Sequence, residues 1–381
     1  MIKRNIVVMA FVSFLNDIAS EATLRLLPLF LSQVLGTGSG LSDRLPRRKP
    51  LVVAGYSVSA FTRPLLLVAG TWPLVFLVRF TDRLGKGVRA APRDALIADE
   101  AQADKRGHSF GLNRALDTAG AIVGLLIAYT VLAHSDTLTR ASFDRVILIA
   151  IVPGMLAVLL MLFGVSEKPR LSTSTPARFP FIIIGNAARP KLPREFWLYM
   201  LVVAAFTLSN SSDAFLVLKA ARAQGGIGFV MLCLIALNIS GALLAVPVGK
   251  LSDRIGRKQL IAAGWLVYAI AYAGFAVTST KGSLVGLFFF YGAFYGFADG
   301  VERSFIADLV PTGAGRGFAY GVFSFVVGVM SFPASLLFGI ALSHWGEKAS
   351  FLADAAIAAV ATIGLTLLVP EKKTETRLNQ I

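Results

Sequence analysis

The sequence has few of the residues that build disulfides, metal centres or enzyme active sites. Its 381 residues include one cysteine, Cys233, and three histidines. An intrachain disulfide is therefore excluded, and a structural zinc site, which takes four Cys or His ligands, is not expected. The chain also lacks a Gly-x-x-x-x-Gly-Lys-Ser/Thr run for nucleotide phosphates, and it shows no nucleophile-and-base spacing. The sequence thus predicts no metal, no cofactor and no enzymatic activity.

Charged residues are scarce as well, at 15% of the chain against about 25% in soluble domains. Hydrophobic residues make up 55% and form blocks of about 20 residues, the length of a membrane-spanning helix. A large soluble helical protein would need polar faces that these blocks lack. The predicted class is therefore an all-α integral membrane protein, with apolar blocks at 51–70, 109–133, 146–165, 228–248, 259–279, 283–298 and 350–369.

Acidic residues are fewer than basic ones, 22 against 37, which gives a net charge of +15. The basic residues crowd into short segments between apolar blocks, such as 44–49 and 254–258. Basic loops of this kind set the orientation of membrane proteins, so the charge predicts topology and no nucleic-acid partner. The first apolar run follows Lys3 and Arg4 and is predicted to be an uncleaved helix with a cytoplasmic amino terminus.

The chain contains an internal repeat. Segment 41–49, Leu-Ser-Asp-Arg-Leu-Pro-Arg-Arg-Lys, matches 251–258, Leu-Ser-Asp-Arg-Ile-Gly-Arg-Lys, and 106–111 matches 316–321 at the same offset of 210. Ile97-Ala-Asp99 likewise matches Ile306-Ala-Asp308. We therefore predict two helical bundles in parallel repeat. The predicted parts are an amino-terminal bundle at 1–165, a basic, proline-containing cytoplasmic linker at 166–195, a six-helix bundle at 196–370 and a cytoplasmic tail at 371–381.

The two halves are unequal in length. Glu21 precedes Asp43 by 22 residues, whereas its repeat counterpart Asp213 precedes Asp253 by 40. The difference is about one membrane span, and it falls where the glycine-rich segment 36–40 is too flexible to cross. The sequence therefore predicts about eleven transmembrane helices, derived from a twelve-helix parent without its second helix. Either the first segment inserts unusually, or the chain is a shortened version of the parent.

The repeated loop resembles the signature that transporters of the major facilitator superfamily carry between helices 2 and 3 and again between helices 8 and 9. The second copy, 249–258, is nearly complete, whereas the first has Ser39 and Pro46 at the two glycine positions. The run 80–94 is similar to a bacterial subgroup of permease and drug-efflux-like proteins. The resemblance implies two bundles with a cavity between them near the bilayer midplane.

Charged residues within predicted spans are the candidates for solute or proton binding, because each costs roughly 2.5–3.5 kcal/mol at a helix centre. Asp17, Glu21 and Arg25 share one face of the first span. Asp17 or Glu21 would exchange a coupling proton, or Glu21 would simply pair with Arg25. Asp213, beside Asn210, is the second candidate for this role.

Arg79 occupies the position of an intramembrane arginine in many family members. It would either face the cavity or extend its guanidinium to the membrane interface. Two further groups are predicted to form separate neutral networks, each on its own helix: Asn113, Arg114 and Asp117, and Asp299, Glu302 and Arg303.

The repeated loops carry the gating candidates, Asp43 and Arg44 in the first copy and Asp253, Arg254 and Arg257 in the second. The resemblance implies that these residues bond neighbouring helix ends in one conformation and release them in the other. Charge-assisted hydrogen bonds and helix dipoles would supply the energy. The alternative is that the charges only set topology.

These observations predict secondary active transport of a small organic solute by alternating access, coupled to protons, with an efflux permease as one reading. We expect a monomer in a bacterial inner membrane, with the lipid bilayer as its surroundings. The alternative is a truncated membrane protein that keeps the scaffold without transporting. The intramembrane charges have both signs, so they select neither a substrate nor a direction.

Overall fold

The computed structural model describes residues 47–132, 140–167, 192–223, 226–310 and 315–370. All regular elements within these ranges are helices, and eight of them are long and apolar enough to cross a membrane. The predicted all-α membrane fold is confirmed. The interval 22–41 lies outside the described residues, so the absence of a second helix stays a prediction. Five of the predicted site residues also lie outside them: Asp17, Glu21, Arg25, Asp43 and Arg44.

The first half contributes four described helices. They are α1 (Lys49–Thr62, extended by a 3-10 segment Arg63–Leu67), α2 (Trp72–Glu100), α3 (Arg106–Leu132) and α4 (Arg140–Gly164). The helices α1 and α2 pack so closely that a Cβ on Gly55 would lie 2.6 Å from the backbone oxygen of Gly85. The helix α2 carries many charged residues, and it is not among the eight described helices that are apolar enough to cross a membrane by composition.

The second half is described almost throughout. Its helices are α5 (Arg194–Ser209), α6 (Asp213–Arg222), α7 (Gly226–Ile255), α8 (Arg257–Val277), α9 (Lys281–Leu309) and α10 (Arg316–Leu368). The break at 210–212 divides one span into α5 and α6. At 53 residues, α10 would be about 80 Å long if it were straight, far beyond a membrane's hydrocarbon thickness of about 30 Å.

A single glycine divides α10 into two spans. Gly346 has φ 80° and ψ 176°, a left-handed backbone that favours glycine because a Cβ would be strained. The two ends of α10 lie at the same end of the molecule. Arg316 reaches Asp99 of the first half, and Lys258 donates to the backbone oxygen of Val369 at 2.6 Å. The helix α10 is therefore a hairpin. We call the end of the molecule that holds Asp99 and Asp308 the basic end.

The two halves meet at the basic end through glycines. A Cβ on Gly107 of α3 would overlap the backbone oxygen of Gly249 of α7, and a Cβ on Gly111 would overlap that of Ala245. Since no side chain separates the two backbones, α3 and α7 approach as closely as helices can. This contact places the side chains that follow Gly107 along α3 opposite those of the second half.

Candidate transport cavity and ion pairs at the basic end

A cavity of about 210 Å³ lies between the two halves. The first half contributes Arg114 and Thr118 of α3, and the second half contributes the other side chains. The cavity therefore presents a cation, carboxylate and amide groups, and an aromatic ring to any occupant. The second-half lining consists of Asp213, Leu237, Asn238, Gly241 and Tyr295.

Asp213 reaches the cavity because the helix is broken just before it. At the end of α5, the hydroxyl of Tyr268 donates a hydrogen bond to the backbone oxygen of Ser209 at 2.5 Å. The start of α6 is capped by Ser212, whose hydroxyl oxygen accepts from the backbone N–H of Ala214 at 3.2 Å. Asp213 is the first residue of α6, where the positive end of the helix dipole favours a carboxylate.

The Asp213 carboxylate is held by hydroxyl groups. Tyr291 donates to it at 3.0 Å, and Tyr295 donates at 3.0 and 3.2 Å to its two oxygens. Among the described residues, no Lys or Arg forms an ion pair with Asp213. Its charge is thus stabilised by groups that can also bond the protonated acid.

Arg114 faces Asp213 from the first half but is paired elsewhere. It forms an ion pair of 2.8 Å with Asp299 and lies 5.4 Å from the centre of the Tyr295 ring. Asp299 also binds Arg303, which in turn binds Asp94 of the first half at 2.9 Å. The two charged groups predicted as separate networks are therefore joined, since α3 and α9 contact one another across the halves.

Asp253 links α7 to the start of α3. Its two oxygens accept from the backbone N–H groups of Gly107 and His108 at 2.8 and 2.9 Å, which are unpaired donors in a helix's first turn. Arg257 donates to the same carboxylate at 3.1 Å. The carboxylate of one half thus caps a helix of the other.

Two aspartates anchor arginines at the basic end, one in each half. Asp99 binds Arg48 at 2.7 Å and Arg316 at 3.0 Å. Asp308 binds Arg257 and, at 2.9 Å, Arg106. Each aspartate therefore holds one arginine of its own half and one of the other half. We call these groups the Asp99 corner and the Asp308 corner, and we include Asp253, which binds Arg257, in the Asp308 corner.

The predicted site residues fall at different places. Asp213 lines the cavity, whereas Asn210 is half-buried in the helix break and is not a lining residue. Asp253 and Arg257 lie in the Asp308 corner, and Arg254 is exposed at the end of α7. Arg79 lies in α2, and its side chain is outside what the structure describes.

Sequence reasoning did not assign Asn238 or Tyr295 to the cavity, nor Asp99 and Asp308 to the corners. A signal for the two aspartates was available, because Ile97-Ala-Asp99 and Ile306-Ala-Asp308 repeat. A carboxylate present in both copies, just before the repeated Arg106 and Arg316, points to one shared structural role.

Two bundles, a broken helix and a charged cavity between the halves define a class of protein, the secondary membrane transporters. A family model described as Major Facilitator Superfamily matches residues 15–238 and 214–380. The chain belongs to the Major Facilitator Superfamily and is a multi-pass membrane transporter rather than an enzyme.

Relatives and solved structures agree with this assignment. An uncharacterised MFS-type transporter of Methanocaldococcus jannaschii is 34% identical, over 96% of this chain and 95% of that protein. The multidrug resistance protein MdtG of Citrobacter koseri is 24% identical, over 93% and 92%. The crystal structure of the E. coli fucose:proton symporter FucP matches with a TM-score of 0.74 and 14% identity, over 96% of this chain and 98% of that one.

Proposed function

We propose that this transporter couples the movement of a small organic solute to that of protons, and that Asp213 exchanges the proton in the cavity. The observation that carries the proposal is the setting of Asp213, a cavity carboxylate held by the hydroxyls of Tyr291 and Tyr295. Hydroxyls can donate to a carboxylate and accept from a carboxylic acid. Asp213 can therefore gain and lose a proton without leaving a buried partner unpaired.

The cavity supports a solute smaller than a drug. Its volume of about 210 Å³ is below the roughly 300–1,000 Å³ of pockets that hold drug-sized ligands. Arg114 and Asp213 offer opposite charges across it, and Tyr295 offers a ring face. Asp17, Glu21 and Arg25 of the first segment, together with Arg79, are proposed to complete the binding surface. We propose export as the direction of transport; one relative is named a multidrug resistance protein.

The ion pairs at the basic end support alternating access. Asp253, Arg254 and Arg257 are proposed to close this end in the conformation described here and to release it in the other. Asp43 and Arg44 are proposed to do the same in the first copy. Closure joins the halves through the Asp253 cap on α3 and through one cross-half arginine in each corner. Solute and proton would shift the balance only by binding the two states unequally.

The concentration of Lys and Arg at the basic end supports its orientation toward the cytoplasm of a bacterial inner membrane. A cytoplasmic amino terminus is compatible with this orientation when the segment before Arg48 crosses the membrane an even number of times. We propose a monomer as the working unit. The alternative of a non-transporting scaffold is not favoured, because the archaeal relative is matched over 95% of its length.

The test is transport by the purified chain in proteoliposomes that contain a pH-sensitive dye. Sugars, amino acids, organic anions and lipophilic cations are added in turn, and flux and internal pH are followed together. We expect one solute class to change the internal pH, and Asp213→Asn to abolish the change. Asp144→Asn, at a surface ion pair with Arg140, is the matched control and should transport normally.

Each other outcome of this assay contradicts a stated part of the proposal. Solute flux without a pH change would refute proton coupling. Full coupling in Asp213→Asn would move the proton site away from this residue. Flux of no solute across the panel would instead support the non-transporting scaffold.

A further inference from the structure

A second carboxylate lies buried in the last span, outside the cavity lining. Asp354 of α10 has 5% of its surface exposed, and one of its oxygens has no hydrogen-bond partner among the described residues. It faces Ser211 in the break between α5 and α6. An isolated carboxylate is costly to bury as an anion, so the protonation state of Asp354 at this position has to be explained.

Two hydroxyl groups face Asp354. Those of Ser211 and Tyr272 are buried, and Ser211 lies within hydrogen-bonding reach of both Asp354 and Tyr272. Both lie close to Asp354. One buried oxygen of Asp354 nevertheless has no partner among the described residues. Such atoms are uncommon in native proteins, and this one indicates a bound species at the carboxyl group.

The charges nearby do not neutralise Asp354. Lys348 of the same helix is exposed. Lys219 of α6 lies 5.6 Å from the centre of the Phe351 ring but is bound to Glu347. The titratable groups that α8 presents to it are Tyr268 and Tyr272, and Asp213 lies beyond Tyr272. No arginine or lysine among the described residues forms an ion pair with Asp354, so a negative charge on this carboxyl group would be buried without a neutralising partner.

We propose that Asp354, with Ser211 and Tyr272, forms a second proton-binding site at the helix break, and that it holds its proton in the conformation described. This inference rests on the proton coupling proposed above. A protonated Asp354 has one O–H to donate and an oxygen to accept with, which suits the two facing hydroxyls. Release of the proton would leave a buried anion and so favour movement of the broken helix.

The tyrosines connect this site to the cavity. Tyr272 stacks on Tyr268 with ring centres 4.1 Å apart, and Tyr291 donates to Asp213. Tyr272 lies within the electrostatic reach of both Asp213 and Asp354. Tyr272 is therefore the residue through which the two aspartates are connected.

The test is infrared difference spectroscopy of the purified full chain in lipid, titrated from acid to alkaline pH, because it needs no knowledge of the solute. A protonated buried carboxyl gives a C=O stretching band that an ionised one lacks. We expect such a band at neutral pH, its loss in Asp354→Asn, and its retention in Asp213→Asn. Ser211→Ala should shift the band without removing it, which gives a second reading if Asp354→Asn does not fold.

Three results would overturn the inference. The first is no carboxyl band at neutral pH, and the second is a band that Asp354→Asn and Ser211→Ala both leave unchanged. The third is thermal stabilisation by sodium chloride, against choline chloride, that Asp354→Asn abolishes, because it would assign the site to a sodium ion. The infrared band of Asp354 is measured without any transport. If the band is present but proteoliposomes show no proton coupling, the proposed function is refuted and the proton site at Asp354 is not.

Discussion

The Asp99 corner and the Asp308 corner are built to one plan by different halves of the chain. In each, an aspartate at the end of one helix binds an own-half arginine and an arginine from the start of a helix in the other half. A lysine follows the own-half arginine and bonds backbone oxygens at the end of that half's last span. These lysine contacts are Lys49 with Leu162 and Val165, and Lys258 with Thr366 and Val369.

The corners differ in burial. The Asp99 side chain is 21% exposed and its arginines 1–2%, whereas Asp308 is 35% exposed and its arginines 8–11%. Water screens ion pairs and weakens them, so similar contacts contribute unequally in the two places. The same internal repeat has therefore produced a tighter and a looser attachment between the halves.

The largest effect is expected from Asp99→Asn. The change removes the negative charge shared by two nearly buried arginines, Arg48 and Arg316, and breaking such a pair costs about 3–5 kcal/mol. The basic end should open. Electron-spin distances between labels at the exposed Gln102 and Lys250, in a Cys233→Ser background, would show a longer separation. An unchanged distance distribution would mean that the Asp99 corner does not hold the halves together.

A smaller opening is expected from Asp308→Asn. Arg257 keeps its bond to Asp253 and one to the backbone oxygen of Ser304, so the arginine remains partly satisfied. The loss should be about 1.5–3 kcal/mol, as for a hydrogen bond to a charged group. The same pair of labels measures it. An opening equal to or greater than that of Asp99→Asn would contradict the ranking by burial.

Gly107→Ala tests how far closure of the basic end depends on the close packing of α3 against α7 rather than on ion pairs. The added Cβ would overlap the Ser252 hydroxyl and the Gly249 backbone oxygen, and overpacking costs about 1–3 kcal/mol. The Asp308 corner, whose Asp253 binds the Gly107 N–H, should loosen first. Gly286→Ala in α9 is the control, since a Cβ there meets nothing within 4 Å. The distance between spin labels at Gln102 and Lys250 should lengthen in the first variant only.

The smallest effect concerns the two lysines that cap spans. Lys49→Met and Lys258→Met each remove a cation from a helix carboxyl end, worth about 0.3–1 kcal/mol. Thermal unfolding of each variant in detergent should show similar small losses of stability, because both lysines make the same contacts. A loss confined to one variant would show that the repeat is not equivalent at these positions.

Much of the fold could be predicted from sequence, because spans of apolar residues and an internal repeat are local patterns. The Asp308 corner was reachable as well, since Asp253 and Arg257 stand in a recognisable loop. The series of ion pairs that runs from Arg114 through Asp299 and Arg303 to Asp94 could not be predicted from sequence. Its members sit on helices of different halves, and they meet only because the α3 and α7 glycines bring those halves together.

The repeat register also changed in detail. Segments 41–44 and 251–254 align at an offset of 210, but Arg48 and Lys49 make the contacts of Arg257 and Lys258 at an offset of 209. The first loop therefore has one extra residue within 45–48. The sequence could not place it, because Arg47 and Arg48 are the same residue type.

The bend at Gly346 has a consequence for any experiment on sidedness. Because it turns the chain back, Val369 returns to the end where Glu167 accepts from the backbone N–H groups of Arg48 and Lys49. A reporter fused after residue 369 and one inserted after residue 167 must therefore sense the same compartment. A third reporter at the amino terminus would show whether the first 46 residues cross the membrane an odd or an even number of times.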